Sequence, residues 1–177
     1  MMRSSGHIKA WIQRLLVTTT SVVAIASFGC AETPVPPEAT GGKASAWEMF
    51  TANDYTGAES EFRQVLSEKS DDGEALVGRG WSLLYLRNLQ GAISVFSDVR
   101  VTDSTWYVDA LAGRSIAYDA VGNSAYSAST VAGALGLDSA YVFFHDPSVD
   151  WRDLEYVRAK NYLLLSSAEL DEQVRNA

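Results

Sequence analysis

The 177-residue chain has one cysteine, two histidines and four prolines, and it is short of positive charge, with 14 Lys and Arg against 22 Asp and Glu. A single cysteine excludes an internal disulfide and a thiolate metal cage. The charge deficit leaves no basic stripe to neutralise phosphates, so no nucleic-acid partner is expected. With 47% apolar and 20% charged residues, the chain still has the composition of a globular domain and not that of a disordered one. The apolar run Leu15 to Phe28 falls short of the ~20 residues that a membrane-spanning helix needs, and Thr18, Thr19, Thr20 and Ser21 weaken it further.

That run has a different use. Arg3, Lys9 and Arg14 all precede it, and no acidic residue occurs among positions 1–29, which is the layout of a signal peptide. It closes on Ser27-Phe28-Gly29-Cys30, which resembles the bacterial lipobox, although Ser27 stands where that motif usually has Leu. The resemblance implies cleavage before Cys30, diacylglycerol on its thiol and attachment to a bacterial membrane. Ala31 after the cysteine resembles an outer-membrane lipoprotein in its sorting. Ordinary type I cleavage, at the same bond or near Ala24 and Ala26, is the alternative, and it would release a secreted or periplasmic protein. Each buried methylene of a lipid adds about 0.8 kcal/mol, so two or three chains hold a protein firmly on a bilayer. Loss of 1–29 would leave eleven basic against 22 acidic side chains, a net charge of −11 that anionic lipid repels.

Positions 30–43 hold the cysteine and then Ala-Glu-Thr-Pro-Val-Pro-Pro-Glu-Ala-Thr-Gly-Gly-Lys, with three of the four prolines. This composition predicts a tether. No proline follows until Pro147, and apolar residues recur at helical spacing in between, so the body from residue 44 to 177 is expected to be all-α.

The body repeats itself. Ala58, Phe62 and Val65 return as Ala92, Phe96 and Val99, each shifted by 34, and Ser127, Val131 and Ala134 continue the set at a shift of 35. Ala75-Leu76-Val77-Gly78-Arg79 returns as Ala110-Leu111-Ala112-Gly113-Arg114, also shifted by 35. A period of 34 built from two helices and a short Asn/Gly turn, with Ala-x3-Phe on the second helix, resembles the tetratricopeptide repeat over roughly residues 44–140. Gly80 stands where that family's first helix carries a small residue, and Ala58 and Ala92 stand at the matching places on the second. Ser70, Ser104 and Ser139 replace the usual closing proline. The pattern Asp109-x4-Arg114-x3-Tyr118 is echoed by Asp153-x4-Arg158-x3-Tyr162 beyond the insertion Val-Phe-Phe-His-Asp-Pro-Ser-Val-Asp, which predicts capping helices from about 148. The resemblance implies an all-α helix-turn-helix solenoid of about three repeats with a capping helix, each pair burying its apolar face against its neighbours.

In such arrays the first helices line a concave groove. Sorted by face, Val77, Trp81, Leu84 and Tyr85 form a stripe on the second repeat, with Trp47 and Phe50 in the first and Ile116 and Asp119 in the third at equivalent places. Trp47 and Trp81 are 34 apart and are expected to share the groove. One reading is a binding groove for an apolar segment of an envelope protein. Another is that the groove is filled by the protein's own linker or terminal helix, or that the tryptophans pack sideways between helices. A carboxylate clamp of the kind some family members build is excluded, because Lys43, Trp47, Gly78, Asp109 and Gly113 occupy its places and only the lysine suits it. A small-ligand reading, with Trp47, Trp81, Tyr85 and Trp106 stacking on sugar rings, is the alternative function.

Arg79 and Arg114 have no carboxylate three or four residues away, so each is expected to seek a partner on another helix, as structural links, or to extend to water. His145 is the one histidine after position 29, and no serine, cysteine or metal ligand stands at a catalytic spacing from it. It is expected to cap a helix C-terminus, and neither an enzyme nor a metal or cofactor protein is expected.

Overall fold

A computed structural model describes residues 42–175, which belong to one compact unit. The expected signal peptide 1–29, the lipid site Cys30 and the tether up to residue 41 lie outside the described residues. The described chain is all-α, in seven helices: α1 Lys43–Thr51, α2 Tyr55–Glu68, α3 Gly73–Tyr85, α4 Leu89–Ser97, α5 Ser104–Ala120, α6 Ser124–Leu137 and α7 Trp151–Arg175. Among the described residues no helix is long and apolar enough to cross a membrane.

The three short turns, α1–α2, α3–α4 and α5–α6, use one local device. A residue at positive φ ends the first helix, and an Asx side chain caps the next. Asn53 (φ 65°), Arg87 (φ 66°) and Gly122 (φ 78°) take the left-handed position at spacings of 34 and 35. Asp54, Asn88 and Asn123 then accept from the backbone N–H of Gly57 (3.0 Å), Gly91 (3.1 Å) and Tyr126 (3.4 Å). Asp72 caps α3 in the same way, accepting from Ala75 N–H at 3.1 Å. Each such cap contributes about 1 kcal/mol by satisfying a donor that the helix leaves unpaired.

Each helix packs on the next, and α1, α3, α5 and α7 also pack on one another in series. Phenylalanine against glycine sets the spacing. A Cβ on Gly78 of α3 would lie 2.2 Å from the Phe62 ring of α2, and one on Gly113 of α5 would lie 2.3 Å from the Phe96 ring of α4. The contact thus recurs one repeat later with the same residue types. In the third hairpin, Val131 replaces the phenylalanine, and the bulk lost there is partly made up by polar contacts. Ser127 Oγ donates to Ser115 O at 2.9 Å, and the buried Asn161 of α7 donates to Ser127 Oγ (3.1 Å) and Asp119 Oδ1 (2.8 Å). Tyr118 stacks on Tyr126 with ring centroids 5.3 Å apart, whereas Tyr162 at the echoed place on α7 is exposed, with no later helix among the described residues to cover it.

Candidate functional site

The serial packing brings Trp47 and Phe50 of α1 together with Val77, Trp81 and Leu84 of α3 in one cluster, as the stripe predicts, but all five are buried. Tyr85 is half-buried at its edge. The α6–α7 connection, residues 138–150, packs over the cluster, so among the described residues the groove is occupied, by a segment that neither reading of it names.

The segment enters extended, and its side chains alternate. Tyr141 and Phe143 point inward and are 3% and 0% exposed, while Val142 and Phe144 point outward at 49% and 82%. Phe143 lies flat on Trp81, with centroids 4.2 Å apart and planes 14° from parallel, and edge-on to Trp47 at 6.2 Å and Phe50 at 6.1 Å. His145 stacks on Trp47 at 3.5 Å with planes 2° apart. Tyr85 Oη donates to Asp146 Oδ2. The base of the loop is closed by Phe143 N–H to Val149 O (2.9 Å) and Trp151 N–H to Tyr141 O (2.8 Å).

His145 therefore does not cap a helix. It sits eight residues past Leu137, the last residue of α6, with its ring on an indole. Burial holds the imidazole below its ordinary pKa, and the charge of Glu74 opposes that. Glu74 also accepts from Trp47 Nε1 at 3.0 Å and pairs with Lys43 at 2.8 Å, fixing the indole under the loop. Burial, with Asp146 beside it, pushes the Tyr85 phenol well up, so it stays a donor.

Asp109 of α5 lies beside the inward Tyr141. Burial raises its carboxyl from 3.8 to about 6, with the Tyr141 phenol pulling it back and Asp138 adding to the rise. A raised folded pKa means that the native state holds the proton more tightly than the unfolded chain, so stability falls as pH rises from about 4 through 6. Asp109→Asn is expected to raise stability at pH 7.5 by about 2 kcal/mol, at 1.36 kcal/mol per pKa unit less an allowance for solvent screening. Urea titrations at a series of pH values check this: the gain should shrink as pH falls towards 4, and a gain that ignores pH would contradict the assignment.

Of the other expected groove residues, Ile116 is partly buried against the core, and Asp119 binds Lys160 (2.6 Å) and Asn161 (2.8 Å) across to α7, so it serves as an interhelical link. Trp106 likewise packs against the core. Comparison with known proteins finds no family model and no curated protein that matches the chain. The arginines divide. Arg79 reaches across to Glu59 of α2 at 2.9 Å through Nε, the interhelical link expected of it. Arg158 pairs with Glu155 on its own helix at 2.7 Å. Arg114 has no carboxylate partner among the described residues, only Ser97 Oγ at 3.4 Å, and its Nε is buried without an acceptor. No group of three or more His, Cys, Asp or Glu side chains suited to a metal occurs among the described residues.

The sequence signal for the loop was the insertion itself. The echo of α5 in α7 comes 44 residues later instead of 35, and the extra residues carry two phenylalanines and a histidine.

Proposed function

We propose that the chain is a non-catalytic, tetratricopeptide-type binding module of the bacterial cell envelope, tethered by lipid on Cys30, whose groove holds its own α6–α7 loop in the place of a partner segment. The fold reading is supported by the 34- to 35-residue recurrence of the turn device and of the phenylalanine-on-glycine contacts. The observation that carries the functional reading is the extended run Tyr141–His145, with alternate side chains on Trp47 and Trp81. An extended peptide bound in a groove uses the same two-residue alternation. A partner segment presenting aromatic side chains at that spacing competes with the loop for the same surface. The sugar-binding alternative loses its support, because the faces of Trp47 and Trp81 are already stacked by His145 and Phe143.

Two folded variants test the competition by crosslinking in the native envelope followed by mass spectrometry. Phe143→Leu weakens the loop's hold and should increase recovery of the wild-type partner, whereas Trp47→Phe, which narrows the surface under both ligands, should not. Unchanged recovery with Phe143→Leu would show that the groove is closed core and sink the reading. Membrane fractionation of Cys30→Ala tests the tether separately, and a variant that still sediments with membrane would refute it.

A further inference from the structure

Two clefts of similar size, about 630 and 580 Å³, lie one repeat apart, the first along α3 and α4 and the second along α5 and α6. They share a register. Arg79, Leu83, Gly91, Ser94 and Val95 line the first, and 35 residues later Arg114, Tyr118, Tyr126, Ser129 and Thr130 line the second. The chemistry differs in two respects. In the first cleft the arginine is neutralised, because Arg79 Nε donates to Glu59 Oε1 at 2.9 Å. The 34-residue shift that relates Ala58 to Ala92 places Ile93 where Glu59 stood, so Arg114 loses its carboxylate, and the same atom, Nε, is the one left buried without an acceptor. The second difference is the wall. Leu83 and Gly91 become the stacked pair Tyr118 and Tyr126, and Tyr107 closes the same cleft.

We infer that the α5–α6 cleft binds a carboxylate-bearing ligand, with Arg114 as its anchor and the tyrosines as its apolar and hydroxylic wall. A guanidinium is planar, stays charged and presents a fork that matches a carboxylate, and here the place that holds its intramolecular partner one repeat earlier is taken by Ile93. The ligand carboxylate takes the role that Glu59 plays one repeat earlier, and the Arg114 side chain turns to present Nε as it docks. Leaving such a donor unpaired costs the fold, which favours an acceptor from outside. Tyr118 and Tyr126 suit a ligand with an apolar or aromatic group next to the carboxylate. The site is separate from the loop-filled groove and stands independently of the function proposed for it.

The test follows the Arg114 Nε–H resonance of the folded protein by NMR, assigned by its loss in Arg114→Lys. It is titrated at millimolar concentrations with benzoate, with N-acetyl-Ala-Phe bearing a free C-terminus, with the same dipeptide amidated, and with phenyl phosphate. Saturable shifts with benzoate or the free-acid dipeptide, and none with the amide, are expected; which of the two binds more tightly tells a small organic acid from a peptide C-terminus. In Arg114→Lys, where that resonance is gone, binding is read from the backbone amides of the cleft residues Tyr118 and Tyr126 and should be weakened about tenfold or more, since the forked bond is lost. Ile93→Glu restores the missing carboxylate, so it should move the Nε–H resonance by itself and abolish the response to benzoate. The inference is overturned if no carboxylate shifts the resonance, if phenyl phosphate alone does, or if benzoate binds Arg114→Lys as tightly as the wild type.

Discussion

Phe143→Ala is expected to destabilise the domain by about 3–5 kcal/mol, the range for removing a buried phenylalanine. Two contributions add. The ring is fully buried, so its truncation loses apolar burial and leaves a cavity among Trp47, Phe50 and Trp81. The flat stack on Trp81 is also lost, and such aromatic pairs contribute about 1 kcal/mol beyond their area. Against a total stability of about 5–15 kcal/mol, this is a large fraction. Because the side chain comes from a loop and not a helix, the helices should keep their far-UV signal below the new midpoint while tryptophan emission shifts to the red. The neighbouring Phe144, 82% exposed, is the internal control: its truncation should change stability by no more than about 0.5 kcal/mol. Equal effects at the two positions in urea unfolding would mean that the loop does not enter the cluster.

The second large effect belongs to Phe96, which is 1% exposed and touches both Gly80 and Gly113. Phe96→Ala is expected to cost about 3–5 kcal/mol, because backbone-limited helices on both sides cannot close the gap. The reverse change is informative. Gly113→Ala places a methyl where 2.3 Å separates it from the ring, and overpacking of that kind costs about 1–3 kcal/mol. Combining Gly113→Ala with Phe96→Leu should cost less than the sum of the two, with a coupling of about 0.5–3 kcal/mol. Gly133→Ala, whose added methyl would sit at an ordinary 3.6 Å from Leu111, should be tolerated. Additive behaviour at Phe96 and Gly113, measured by denaturant unfolding, would contradict the interlock between α4 and α5.

The helical pairs were legible in the sequence because the repeat is a steric requirement written at fixed intervals. Phe62 needs a glycine at 78 and Phe96 needs one at 113, and the Asx caps fall one residue after each left-handed turn residue. The cluster of Trp47, Phe50 and Trp81 was legible for the same reason, since residues 34 apart in such a period meet on one side. Its exposure was not. Phe143 and His145 lie in an insertion with no period, next to Pro147, and nothing in a helical pattern says where an irregular segment folds back. The arginines show the boundary between the two cases. The pattern marked Arg79 and Arg114 as alike, but Glu59 and Ile93, on preceding helices, give one a partner and deprive the other.

Aromatic proton NOEs test the loop-filled groove most directly. Cross-peaks between the Phe143 ring and the Trp81 indole, and between His145 and Trp47, are predicted from centroid separations of 4.2 and 3.5 Å. A slowly exchanging Trp81 indole N–H should accompany them, since that atom is enclosed. Absence of both sets of cross-peaks, together with rapid exchange of the Trp81 indole proton, would mean that the groove stands open and would contradict the account.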